Sequence, residues 1–174
     1  MKNILIVYST TDGQTKKICQ HLQSVIEQQH QVQLLSVREA IDTDLSDFDK
    51  IVLGASIRYG THHPDVFAFI NKNQRILDSK PSAFFSVNLV ARKAIKSQPE
   101  TNPYLIKFLK KIAWQPKQLA VFAGKLDYKN YRFIDRHVIS LIMWMTKGPT
   151  SFDTNVEYTN WEEVDVFGQR IMQM

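Results

Sequence analysis

A chain of 174 residues, 44% apolar and 22% charged, has the size and balance of one domain over 1–174 around one core, and a second domain would be cramped. Cys19 is the only cysteine, which excludes an internal disulfide and a cysteine-cluster metal centre, so no metal is expected. The net charge of +5 is uneven: Ser86 to Lys147 holds twelve Lys and Arg against Glu100, Asp127 and Asp135, a region built for phosphate, carboxylate, anionic lipid or nucleic acid.

The run Ile4 to Val7 is too short for the apolar stretch of a signal peptide and lacks a small-residue cleavage site, so a cytoplasmic protein is expected. Lys2 to Tyr8 instead reads as a strand buried on both faces. After the loop Ser9 to Thr15, the residues Ile18, Leu22, Val25 and Ile26 recur at helical spacing, and Cys19 on that helix reads as a packed thiol. Gln31 to Val37 alternates as a second strand. Lys50 to Leu53 is a third, followed by a loop Gly54 to Gly60. Pro64 opens a short helix carrying Val66, Phe67, Phe69 and Ile70. Ser82 to Val87 is a fourth strand, Tyr104 to Ile112 a helix face, Leu119 to Ala123 a fifth strand and Trp161 to Met172 the last helix. The β-α alternation predicts a doubly wound five-stranded parallel sheet of order 2-1-3-4-5.

Roughly 35 residues separate the fifth strand from the last helix, where two to six are typical. Within this insertion, about 125–152, Ile134, Val138, Leu141, Ile142 and Met145 share one helical stripe, joined by Phe133, Ile139, Met143 and Trp144. Lys125, Lys129, Arg132, Arg136 and Lys147 surround it. The apolar run Val138 to Met145 is far short of the roughly 20 residues that span a bilayer. The stripe therefore fits a helix lying in a membrane interface, a partner-docking helix, or one packed on its own domain.

Ser9, Thr10, Thr11, Asp12, Gly13, Gln14 and Thr15 join a buried strand to an amphipathic helix. A phosphate there would meet unpaired backbone N–H groups, the positive end of the helix dipole and several hydroxyls. A ligand-free capping turn would use the same residues. In a sheet of order 2-1-3-4-5 the loops after the third and fourth strands lie beside this one at the topological switch point. They contribute Ser56, Ile57, Arg58 and Tyr59, and Ser86, Val87, Asn88, Leu89, Arg92 and Lys93. A flat aromatic ring fits between them, with Ile57, Tyr59 or Leu89 covering its faces.

Thr10, Gly13 and Thr15 match the Thr-x-Thr-Gly-x-Thr phosphate signature of flavodoxins, which this α/β chain therefore resembles, with Asp12 where that family usually has threonine. A carboxylate aimed at a phosphate would repel it, so Asp12 is expected to turn outward or to cap the helix. The three loops together, with Tyr131, Arg132, Asp135 and Arg136 in the insertion, are similar to the menaquinone-dependent protoporphyrinogen IX dehydrogenases of bacterial haem synthesis. That resemblance covers nearly the whole chain. It implies FMN held by Ser9 to Thr15, Ser56 to Tyr59 and Ser86 to Leu89. It also implies oxidation of protoporphyrinogen IX in three two-electron steps, transfer of electrons to menaquinone or ubiquinone, and peripheral attachment to the cytoplasmic face of the cell membrane.

Under this reading FMN carries the chemistry and no catalytic side chain is assigned; His62 and His63 could relay protons or be merely structural or solvated. Arg58, Arg92 and Lys93 form a candidate clamp for substrate carboxylates. Arg132, Arg136, Ile142, Trp144 and Met145 are the candidate membrane and quinone contacts. A soluble flavodoxin-type electron carrier is the alternative. A nucleic-acid module is disfavoured, because the aromatic residues form no base-stacking row. A phosphoacceptor receiver would need an Asp ending the third strand, where Gly54, Ala55 and Ser56 stand. The oligomeric state is left open.

Overall fold

Ile4, Leu5, Ile6 and Val7 are fully buried on both faces of a sheet, as their unbroken apolar run demands of a central parallel strand. They form the middle of β1 (Asn3–Ser9) in a computed structural model that describes all residues 1–174. β1 pairs in parallel with β2 (Gln31–Ser36) on one side and with β3 (Lys50–Arg58) on the other. The sheet continues through β5 (Ser82–Val87) to β6 (Gln118–Phe122), with a two-residue β4 (Thr61–His62) added to β3. Setting β4 aside, the five parallel strands run 2-1-3-4-5, the predicted order.

Alternating residues of each strand feed two cores. Leu5, Val7, Ile51, Leu53 and Phe84 pack beneath α3 (Pro64–Ser79) and α4 (Pro103–Leu109). Ile4, Ile6, Val52 and Phe85 pack beneath α1 (Gln14–Ile26) and α6 (Trp161–Gln173). A Cβ at Gly54 would lie 2.1 Å from the Phe85 ring, itself wedged against Phe122 and Phe167, so only glycine fits that strand position. Cys19 is buried in the second core as a packed thiol.

Three local readings change. Gly54 to Gly60 is not a loop: β3 runs on to Arg58, and a tight turn at Tyr59 and Gly60, with φ of 52° and 80°, folds the chain back into β4. The strand survives because β4 supplies its outer end with antiparallel partners. Val37 leaves β2 and opens a short α2 (Val37–Ala40), since Ser36 and Glu39 form a reciprocal capping box. The helix after Pro64 is not short but spans 16 residues.

The insertion folds on itself. β7 (Lys125–Asp127) pairs antiparallel with β8 (Asn155–Glu157), returning the chain to α6, and between them lies α5 (Phe133–Met145). Leu126, Tyr128, Tyr131, Ile139 and Met143 form a small core of their own under α5. Its packed face is thus Ile139 and Met143, whereas Ile134, Leu141 and Met145 of the expected stripe are turned outward and Ile142 lies at the edge between the two faces. The outer face is apolar as well: Phe133 is 74% exposed and Trp144 70%. No helix is long and apolar enough to cross a membrane.

Candidate functional site

Because the chain leaves β1 towards β2 on one side and leaves β3 towards β5 on the other, the loops at their carboxyl ends cannot cover one another, and a cleft opens between them. It encloses about 840 Å³ out to its solvent mouth. Thr10, Asp12, Gln14 and Thr15 line one wall, Ser56 to Gly60 a second and Val87 to Val90 a third. Tyr131, Ile139, Ile142, Met143 and Thr146 of the insertion roof it, so α5 lies over the meeting point of the three loops.

The first wall is built for an anion. Gly13 sits at the helix N-cap with φ 90°, where it has no side chain to cap the first turn, and its own N–H donates to Thr10 Oγ1 at 3.0 Å. The first intrahelical bond runs from Lys17 N–H to the Gly13 carbonyl, leaving the amides of Gln14, Thr15 and Lys16 without intrahelical acceptors. Thr15 is fully buried, and its Oγ1 has no hydrogen-bond partner in the protein. A buried hydroxyl is rarely left without a partner. Here it lines the cleft beside free amides at a helix start, and a phosphate fits that donor set. Gln14 is otherwise engaged: its Nε2 donates to Thr159 Oγ1 at 2.9 Å, which in turn donates to the Ala123 carbonyl at 2.7 Å, tying this loop to the chain after β6.

Asp12 neither caps the helix nor swings free. One nitrogen of Arg58 reaches both its carboxylate oxygens, at 2.6 and 2.7 Å. Partial burial pushes this carboxyl above its ordinary value, and the Arg58 guanidinium pulls it back down. Arg58 in turn lies 5.4 Å from the centre of the Tyr131 ring and 6.0 Å from that of Tyr59. Tyr59 donates its hydroxyl hydrogen bond to Asp135 in the first turn of α5, so the β3–β4 turn also holds the roof.

On the third wall Asn88 is a scaffold residue. Its Oδ1 accepts from the Ala91 amide and from Asn102 Nδ2, which fixes the turn after β5 against the start of α4. Val87 and Leu89 line the cleft, whereas Ser86 lies beneath it. Of the other expected residues, Ser9, Thr11 and Gly13 share the first loop but do not line the cleft. Arg92 lines it and donates to the Leu89 carbonyl and to both oxygens of Thr146, neutral acceptors that leave its charge uncompensated. Lys93 is outside the lining. Of the insertion residues, Ile142 faces the cleft mouth. Trp144 and Met145 are on the outer face, Arg132 is exposed, and Arg136 is bound to the Tyr128 carbonyl at 3.0 Å.

His62 is not a surface histidine. It is 2% exposed, packed on Phe84 and Phe108, with Nδ1 3.1 Å from the Ser56 carbonyl. Burial pushes its pKa down to about 4. His63 caps α3 instead, accepting from the Asp65 amide. Sequence reasoning passed over Tyr104, Gly124, Lys125 and the roof residues Tyr131 and Thr146 as wall residues of this cleft. The charge of Lys125 was visible; its return to the cleft through β7 was not.

The flavodoxin domain family matches residues 5–153. The protoporphyrinogen IX dehydrogenase (quinone) of Escherichia coli K12 is 43% identical over 171 residues, covering 98% of this chain and 94% of that protein. Its namesake in Leishmania major is 39% identical over 165 residues, 94% of this chain and 71% of that one. Among solved structures, oxidised flavodoxin 1 from Bacillus cereus superposes with a TM-score of 0.56 at 15% identity over 98% of this chain and 97% of that one. The WrbA-like flavodoxin of Agrobacterium tumefaciens gives 0.55 at 13% identity over 99% and 96%. These structures share the fold.

Two predictions come from this geometry. Thr15→Val removes an unsatisfied buried hydroxyl without changing shape, so the ligand-free chain gains about 1 kcal/mol in urea unfolding while a phosphate-bearing flavin binds more weakly; a loss of stability, or unchanged flavin affinity, contradicts the assignment. His62 stays neutral in the folded chain down to about pH 4, whereas the unfolded chain protonates it near 6.5. Its contribution is full above pH 6.5 and is lost as pH falls towards 4, by about 3 kcal/mol in all. His62→Gln should flatten the urea stability profile between those pH values, and an unchanged profile counts against the burial of a neutral imidazole.

Proposed function

Because the chain belongs to the flavodoxin domain family and, within it, to the quinone-dependent protoporphyrinogen IX dehydrogenases, we propose that it oxidises protoporphyrinogen IX to protoporphyrin IX for haem synthesis, with FMN as its flavin and a membrane quinone as acceptor. The quinone is menaquinone or ubiquinone, and the protein works as a peripheral protein on the cytoplasmic face of the cell membrane.

One observation carries this reading over that of a soluble electron carrier. Helix α5 roofs the cleft with Ile139 and Met143 and turns Phe133, Ile134, Leu141, Trp144 and Met145 to solvent. So apolar an outer face over the cleft marks a docking surface, and an enzyme whose acceptor is dissolved in lipid needs its cleft held at the bilayer. Lys129, Arg132 and Lys147 are exposed around that face and suit anionic headgroups.

The protein's work is binding and orientation. The amides at the start of α1, with the hydroxyls of Thr10 and Thr15, would hold the FMN phosphate, while Ile57, Tyr59 and Leu89 would flank the ring between the second and third walls. When bound, FMN supplies a two-electron acceptor that takes hydride from the substrate and passes electrons on to the quinone. Tyr131, Ile139 and Met143 exclude water from above. No side chain is placed as a dedicated base: Asp12 is paired with Arg58, and His62 is neutral beneath the β3 wall. Of the three cations expected to clamp substrate carboxylates, Arg92 alone both lines the cleft and keeps an uncompensated charge.

Two measurements test this reading. With anaerobic porphyrin fluorescence as the readout, Arg92→Ala should raise KM for protoporphyrinogen several-fold, and an unchanged KM removes Arg92 from substrate binding. In the same assay the triple variant Phe133→Ser, Leu141→Ser, Trp144→Ser should lose most of its rate with a long-chain quinone in vesicles yet keep its rate with a water-soluble short-chain quinone. Equal rates with both acceptors would refute the membrane seat, and no quinone-dependent porphyrin formation by the unaltered protein would refute the activity.

A further inference from the structure

A carboxylate in a phosphate loop demands compensation, because like charges held in one loop repel strongly at the reduced dielectric of a protein cleft. Asp12 lines the same wall as Thr10 and Thr15, and its only hydrogen-bonding partner is Arg58. We propose that Arg58 is a positioning residue for the flavin phosphate: by neutralising Asp12 it allows a loop that carries a carboxylate to accept a dianion. This rests on the reading of FMN as the ligand.

The arrangement is built rather than incidental. Arg58 stands at the end of β3, its side chain only 18% exposed, and it is held against the faces of Tyr59 and Tyr131. Tyr131 is itself fixed, donating its hydroxyl to the Lys125 carbonyl in β7. The guanidinium is therefore preorganised by the β3–β4 turn and by the insertion before any ligand arrives, and both oxygens of Asp12 bond to it while no side chain caps the free amides. Arg58 acts on the phosphate through Asp12, which separates this role from the carboxylate clamp in which it was first placed.

The test titrates the full-length chain with FMN and with riboflavin, which has the same ring and no phosphate, and follows flavin fluorescence. Arg58→Gln, which keeps the side-chain stem, should weaken FMN about tenfold or more and leave riboflavin within about twofold. Adding Asp12→Asn to that variant should restore FMN to within about threefold of the unaltered chain. Asp12→Asn alone, with Arg58 intact, should bind FMN as tightly or more tightly, a result that does not depend on the folding of the Arg58 variant. Equal losses for both flavins would reduce Arg58 to a structural role and overturn the proposal. A double variant as weak as Arg58→Gln would overturn it too, by showing that Arg58 meets the phosphate directly. If the unaltered chain binds riboflavin and FMN equally, the phosphate cradle fails; if it binds neither, the flavin reading fails, and in both cases the pair's role falls with it.

Discussion

The burial of β1 on both faces is the constraint from which the rest of the molecule follows. Ile4 to Val7 can leave water only if strands flank them and helices cover them above and below, and this makes β1 the strand from which the sheet grows both ways. The two connections leaving its neighbourhood diverge, so the amides at the start of α1 are left uncovered at the carboxyl edge. The chain turns there through glycine, whose φ of 90° carries no Cβ penalty, and leaves the Thr15 hydroxyl without a protein partner at this edge. The core thus determines where an anion can sit before any ligand-binding residue is considered.

The insertion solves a different problem with its own small core. Leu126, Tyr128, Tyr131, Ile139 and Met143 suffice to hold α5 in place once β7 and β8 close the segment at its base. That core is small, and the additional ties are polar: Tyr59 to Asp135 at one end of α5 and Arg92 to Thr146 at the other. The two walls that flank a ligand are therefore the walls that hold the roof.

Much of this was legible in the sequence because the parallel strands announce themselves as unbroken apolar runs and their order follows from β-α alternation. Ser82 to Val87 was read to the residue, and the three walls of the cleft were placed from topology alone. What was not legible depended on partners distant in sequence. Gly54 to Gly60 looked like a loop because glycine at both ends signals a break, yet Gly54 is demanded by the Phe85 ring and β3 continues because β4 turns back onto it. Helix α5 is apolar on every side, so its period could not say which side packs, and the stripe read as one face is largely the outward one. The sequence could not decide whether His62 relays protons, is structural or is solvated, because the alternation that turns it inward onto Phe84 and Phe108 belongs to β4, a strand that exists only by pairing with β3.

Asp12 shows how a departure from a motif becomes informative only once its partner is known. Read alone, an acidic residue in a phosphate loop argues against the loop, and outward rotation or helix capping would be the least disruptive escapes. Neither occurs, because Arg58, more than forty positions away, is brought across from the second wall by the extension of β3 that the sequence concealed. The extended strand brings that charge to the loop, and the tyrosines of the β3–β4 turn and of the insertion lie against it. The acidic residue and the late insertion thus meet at one guanidinium: Arg58 pairs with Asp12 on one side and lies against Tyr131 of the insertion on the other, so that the insertion supplies one of the two rings that hold the charge opposing the carboxylate.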